Sequence, residues 1–239
     1  SPDSARALFV AASDAQKLWS VPLDGSAAPV RLDGPSVLGA RVRDDRGALQ
    51  VSAVTGRVLY VADQDVLHRY ELWSVPPDGS APAVRRSDPA GLGLSYYFDG
   101  DLRLTSDGHH VLYFEDGPTG LDSRVLVRTT LAGPGARLAL TAGAVAPQDF
   151  TLDAFGRTLL YTGSPPGHSE SPALYLVPTD ASRSPRRIDL GAAPCTGVSD
   201  PSFTPDGRFA LWLDEEACGV SELWSLRLPR RVRAADEHP

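Results

Sequence analysis

LWSVPLDGS at Leu18–Ser26 returns as LWSVPPDGS at Leu72–Ser80, and the fold turns on that echo. A third copy, LWSLRLP, occupies Leu223–Pro229, and two weaker ones lie between: LVRTTLAGP at Leu126–Pro134 and LYLVPTDAS at Leu174–Ser182. The copies begin at positions 18, 72, 126, 174 and 223, so their spacings are 54, 54, 48 and 49 residues. A period of roughly 40–50 residues in a strand-rich chain marks the blade of a β-propeller.

Ahead of each copy stands a second motif: SPDSARALFVA from Ser1, VTGRVLYVAD from Val54, TSDGHHVLYFED from Thr105, LDAFGRTLLYTG from Leu152 and TPDGRFALWLDE from Thr204. Each is a turn followed by alternating apolar residues. Asp107-Gly108 and Asp206-Gly207 suit a tight hairpin, because glycine tolerates positive φ and aspartate supports the turn. Val111–Phe114 and Ala210–Leu213 are rich in aromatic and branched side chains, as strands prefer. Leu-Trp-Ser-Val is then the next strand, and Asp24-Gly25 or Asp78-Gly79 turns it into a short fourth one such as Pro29–Leu32.

One repeat is therefore strand A, a turn, strand B, a variable loop, strand C, a turn and strand D. A lone meander of this kind has open edges and two apolar faces, so it persists only when stacked on neighbours. The predicted fold is all-β: a propeller of about five four-stranded antiparallel blades, closed on itself or an arc of a larger one. A single domain over 1–239 divides into repeats at about 1–44, 45–97, 98–146, 147–197 and 198–239. Ser1-Pro2-Asp3 already reads as the A–B turn, so the first repeat lacks a strand A; the last runs through strand C, with strand D expected at Val232–Ala234. Trp19, Trp73, Tyr175 and Trp224 recur at one strand-C position, which predicts packing between blades.

The pattern resembles the TolB-like β-propeller family of WD-like repeats, whose units read SPDG…LLY…ELW.V.LDG…RL. Thr204–Leu226 fits that consensus best, and Val58–Ser80 nearly as well. Repeat three departs from it at Val127, where the strand-C aromatic is lost, and repeat four at Asp180-Ala181, where the turn glycine is lost. The resemblance spans the whole chain and implies the fold. On function it implies only a set of roles: periplasmic binding proteins, propellers attached to peptidases, and sensor modules.

The bulk numbers narrow the classes further. A net charge of −7 argues against a nucleic-acid backbone as partner. No apolar run is long enough to span a membrane as a helix, and no signal-peptide pattern is present. The chain contains no Met, not even at position 1, so it is expected to begin after processing or within a longer frame.

Cys195 and Cys218 are the only cysteines, and they stand equally far from the Asp206-Gly207 turn. Cross-strand partners have Cβ atoms about 4.5–5.5 Å apart, close to what a disulfide needs. The expected bond, whose alternative is a pair of reduced buried thiols, closes the mouth of the fifth A–B hairpin and implies an oxidising compartment, periplasmic or extracellular. Two cysteines without a neighbouring His make a poor zinc site.

B–C and D–A connections share one face of such a propeller, and the A–B and C–D turns share the other. The turns repeat, whereas the B–C loops vary, which places function on the loop face. Those loops are Ser13–Gln16, Asp63–Tyr70, Glu115–Arg124, Gly163–Pro172 and Asp214–Ser221. An acidic residue follows strand B in several: Asp63 with Asp65, Glu115-Asp116 and Asp214-Glu215. In a closed propeller these ring the central opening with negative charge suited to a cation, a basic peptide or an Arg/Lys-rich partner segment; the alternative is that they are gatekeeping charges at strand ends. Tyr96-Tyr97-Phe98 either offers a contact patch or packs against a neighbouring blade, and His68 and His168 are candidate metal or acid–base groups.

No nucleophile elbow, phosphate loop or zinc motif occurs, no metal-ligand loop is complete, and no cofactor is indicated. The expectation is thus a noncatalytic protein- or peptide-binding propeller. Its alternatives are an accessory sensor or gating domain of a larger protein, or a propeller hydrolase or lyase acting in the funnel.

Overall fold

The computed structural model describes residues 1–12, 15–45, 47–88, 94, 102–117, 120–131, 137–141, 146–164, 172–189, 197–215 and 221–228. These residues contain strands and turns and no helix. The first sheet holds β1 (Arg6–Ala12), β2 (Gln16–Pro22) and β3 (Val30–Arg31). The second holds β4 (Leu49–Val51), β5 (Val58–Ala62), β6 (Glu71–Val75) and β7 (Val84–Arg85). The third holds β8 (Arg103–Leu104), β9 (His110–Gly117), β10 (Gly120–Thr130) and β11 (Leu138–Ala139). The fourth holds β12 (Ala146–Leu152), β13 (Thr158–Ser164), β14 (Ala173–Pro178) and β15 (Arg186–Arg187). The fifth holds β16 (Gly197–Phe203), β17 (Phe209–Glu215) and β18 (Ser221–Arg227).

Every sheet is an antiparallel meander in chain order, so each is one propeller blade. The first begins directly at strand B. The strand D expected at Val232–Ala234 and the Tyr96-Tyr97-Phe98 patch lie outside the described residues.

Successive residues of a strand point to opposite faces, so an internal strand B feeds two cores at once. In β5, Val58, Tyr60 and Ala62 pack against blade one, while Leu59 and Val61 pack against blade three. In β9, Val111 and Tyr113 look back to blade two, and Leu112 and Phe114 look forward to blade four. In β13, Leu159 and Tyr161 face back, and Leu160 faces forward. Four apolar clusters result, one at each junction from blades one and two to blades four and five. No cluster joins blade five to blade one among the described residues, which make up an arc of five sheets.

The strand-C aromatics sort by this rule. Trp73 is buried between blades one and two, and Tyr175 stacks on Tyr161 at 5.1 Å between blades three and four. Trp19 lies cross-strand from the exposed Phe9, on the face of blade one that no other blade covers among the described residues, and Trp224 stays 48% exposed beside Trp212.

The turn face is a repeated hydrogen-bond device. In blades three and five a threonine hydroxyl donates to the turn aspartate, Thr105 to Asp107 at 2.5 Å and Thr204 to Asp206 at 2.6 Å. The same carboxylates accept the next backbone N–H, from His109 and Arg208. Strand C is anchored similarly to the end of strand D. Leu18, Leu72 and Leu126 donate their N–H groups to the side chains of Asp33, Ser87 and Thr141.

Candidate functional site

The B–C loop of blade two is tied to the connection that leads out of blade one. Asp63, buried at the end of β5, accepts the N–H of Arg41 at 2.5 Å and that of His68 at 2.9 Å. His68 takes a positive φ of 65° there, so its backbone turns inward while the residue stays exposed. Gln64 adds two links: its side chain accepts the Tyr60 hydroxyl at 2.7 Å, and its carbonyl accepts the Val37 N–H at 2.9 Å.

This stitching sets two apolar pairs side by side. Val37 and Leu38 come from the blade one–two connection, and Val66 and Leu67 from the loop; all four are exposed, Leu38 at 99%. Their proximity shows at Gly39, where an added Cβ would lie 3.6 Å from Leu67 Cδ1. The anchors are polar and buried, whereas what they present is apolar and open.

The predicted acidic residues fall into distinct roles. Asp65 is exposed and pairs with Arg85 at 2.9 Å. Glu115 is buried: it accepts the Tyr113 hydroxyl at 2.8 Å and the Arg137 guanidinium at 2.6 Å. Asp116 follows it, half-buried, in β9. Asp214 is buried at the end of β17, with Oδ1 accepting no hydrogen bond among the described residues. Glu215 belongs to β17 by its backbone, and its side chain lies outside the described residues, as do His168, Cys195 and Cys218. Asp63, Asp65 and His68 therefore share one loop, whereas Glu115 and Asp214 belong to the third and fifth blades.

The cysteine expectation rested on equal spacing from the Asp206-Gly207 turn. That spacing holds for Phe203↔Ala210 and Ser202↔Leu211, then slips by one residue at a bulge, giving Ser199↔Leu213 and Gly197↔Glu215. Asp200, inside the bulge, adopts φ 51°.

Glu71 was not singled out from the sequence. Its side chain is buried; Oε1 meets Arg85 at 3.1 Å and Arg69 at 3.3 Å, and Oε2 accepts no hydrogen bond among the described residues. Burial raises its pKa, with the two arginines pulling the other way. On the opposite face, a cavity of about 670 Å³ opens between the turns of blades three and four, bordered by Asp107, His110, Arg128, Phe155, Arg157 and Asp180. Arg128 stands there at the strand-C position that carries Ser20 and Ser74 in the first two blades. Among the described residues, no group of three or more His, Cys, Asp or Glu is arranged to hold a metal ion.

No protein-family model matches the sequence, and no curated protein matches it. Solved structures do. A puromycin-hydrolysing peptidase of Mycobacterium tuberculosis is similar over 87% of this chain and 32% of its own, with 16% identity and a TM-score of 0.57. A prolyl endopeptidase matches 97% of this chain and 34% of its own, at 13% identity and a TM-score of 0.56. A putative TolB of Agrobacterium tumefaciens matches 95% of this chain and 79% of its own, at 15% identity and a TM-score of 0.50. The chain thus spans about a third of the two peptidase chains.

Blades, connectivity and structural likeness together define the class, a β-propeller. Within it the fold is TolB-like.

Proposed function

We propose that the protein is a noncatalytic binding propeller that engages a protein or peptide on its B–C loop face. The observation that carries this reading is the exposed apolar patch Val37, Leu38, Val66 and Leu67, held by the buried anchors Asp63 and Gln64. Apolar side chains presented on a rigid polar frame favour recognition, because little ordering cost is left for the complex. The net charge of −7 and the exposed Asp65 suit a partner with an apolar anchor flanked by Lys or Arg. The cysteine pair, if bonded, places this binding in the periplasm or outside the cell.

Selection from a displayed peptide library tests the reading. Enriched peptides should pair an apolar residue with basic neighbours, and Leu38→Asp with Leu67→Asp should weaken them at least about tenfold, or 1.4 kcal/mol. Undiminished binding by the double variant removes the loop face from the reading. Turnover of a bound peptide replaces the reading with a hydrolase.

A second reading, an accessory propeller within a longer protein, draws support from the two peptidases. Each matches this chain over only about a third of its own length.

A further inference from the structure

Each internal junction is made by the same positions. The forward face of a blade presents the first leucine of strand C: Leu18, Leu72, Leu126 and Leu174, every one fully buried. The backward face presents the aromatic of strand B, which pairs with the second residue of strand C: Tyr60↔Trp73, Tyr113↔Val127, Tyr161↔Tyr175 and Trp212↔Trp224. Those four aromatics of strand B are buried as well.

The two ends of the arc break the rule in complementary ways. Leu223, equivalent to Leu72, is 72% exposed on the forward face of blade five, with Leu213 cross-strand from it. Phe9, equivalent to Tyr60, is 39% exposed on the backward face of blade one, with Trp19 cross-strand from it. Each end is half of a junction of the kind already formed four times. The surface shaped to cover Phe9 and Trp19 is a forward face bearing leucine, and blade five carries one that no other blade covers among the described residues.

We infer that the chain associates head to tail, the forward face of blade five docking on the backward face of blade one of a second copy. Such a contact is heterologous, so it closes into a ring or runs on. One substitution at either end blocks all contacts in a pure sample, because every molecule then lacks the same half.

Light scattering after gel filtration reads this directly. The unmodified chain should exceed monomer mass and grow with concentration, while Phe9→Asp and Leu223→Asp should each be monomeric. Mixing the two variants should restore a heterodimer, since one keeps its blade-five face and the other its blade-one face. Leu38→Asp, on the loop face, should assemble like the unmodified chain, and circular dichroism confirms that each variant is folded. An unmodified chain that stays monomeric at every concentration overturns the inference. So does a mixture of folded variants that stays monomeric, because another blade or a fold-back within one chain then covers the ends.

Discussion

Blades two to four and blades one and five are built from the same repeat, yet their side chains meet different fates. Leu72 and Leu223 occupy one position in strand C, preceded by Glu and followed by Trp-Ser; the first is fully buried and the second is largely exposed. Tyr113 and Phe9 show the same split on strand B. Local sequence therefore makes the blade, and a neighbouring blade makes the core. Stability in such an array comes largely from the junctions, as in other repeat architectures.

The comparison breaks most readily at its centre. Tyr113→Ala should cost about 3–5 kcal/mol and Leu72→Ala about 2–5 kcal/mol, because each empties a packed junction. Leu223→Ala should stay within about 0.5 kcal/mol in samples dilute enough to be monomeric. Urea midpoints of the three variants check this. A loss for Leu223→Ala equal to that for Leu72→Ala means that the blade-five face is covered in solution.

The fifth blade carries the next largest effect. With Cys195 and Cys218 bonded, denaturation without reductant exposes no free thiol, and reduction should lower stability by about 2–4 kcal/mol. Two titratable thiols instead mean that the slip seen at Ser199–Ser202 carries the strands past each other at the hairpin mouth.

Turn positions sharpen the comparison at a finer scale. Gly108 has φ 65°, and an added Cβ would fall 2.6 Å from the Cβ of Val54 in the neighbouring blade. Gly108→Ala should cost about 2–4 kcal/mol, from left-handed strain together with overpacking. Ala181 adopts φ 52° at the turn where Gly25 and Gly79 serve in blades one and two. Ala181→Gly should therefore stabilise by about 0.5–1 kcal/mol, raising the melting temperature by roughly 1–4 °C.

Those turns were legible in the sequence because their chemistry is local. The five meanders, the absent strand A of blade one, and the missing glycine at Ala181 all follow from spacing and turn residues. The strand D anchor was hidden by its variety: Asp33, Ser87 and Thr141 share only a short side chain with an accepting oxygen. Asp63 and Glu115 read as surface charges, since carboxylates usually are. They are buried because the backbone N–H of Arg41, in the preceding connection, meets Asp63, and the guanidinium of Arg137, twenty-two residues on, meets Glu115. The apolar patch was invisible for the same reason, as Leu38 and Leu67 meet only once two blades stack. The bulge at Asp200 has no glycine to announce it, so equal spacing from the turn holds only as far as Ser202↔Leu211.

The smallest effect sets the two faces of the propeller against each other through their carboxylates. On the turn face, burial pushes the Asp107 carboxyl up, but Thr105, the His109 N–H and His110 outweigh it and hold the pKa low. Asp206 is lowered by Thr204 and the Arg208 N–H. A carboxylate held below its unfolded pKa, near 3.8, adds stability above that pH and loses it as the pH falls through the folded value. On the loop face the sign reverses. Glu71 is raised by burial above its ordinary 4.5, so its protonated form is favoured by folding, and stability declines as the pH rises from 4.5 through the folded value. Melting curves between about pH 2 and pH 7 separate the two. Asp107→Asn with Asp206→Asn should flatten the acid limb below 3.8, and Glu71→Gln should flatten the profile above 4.5. If Glu71→Gln flattens the acid limb below pH 4.5 instead, the pairs with Arg69 and Arg85 dominate burial, and the two faces share one electrostatic logic.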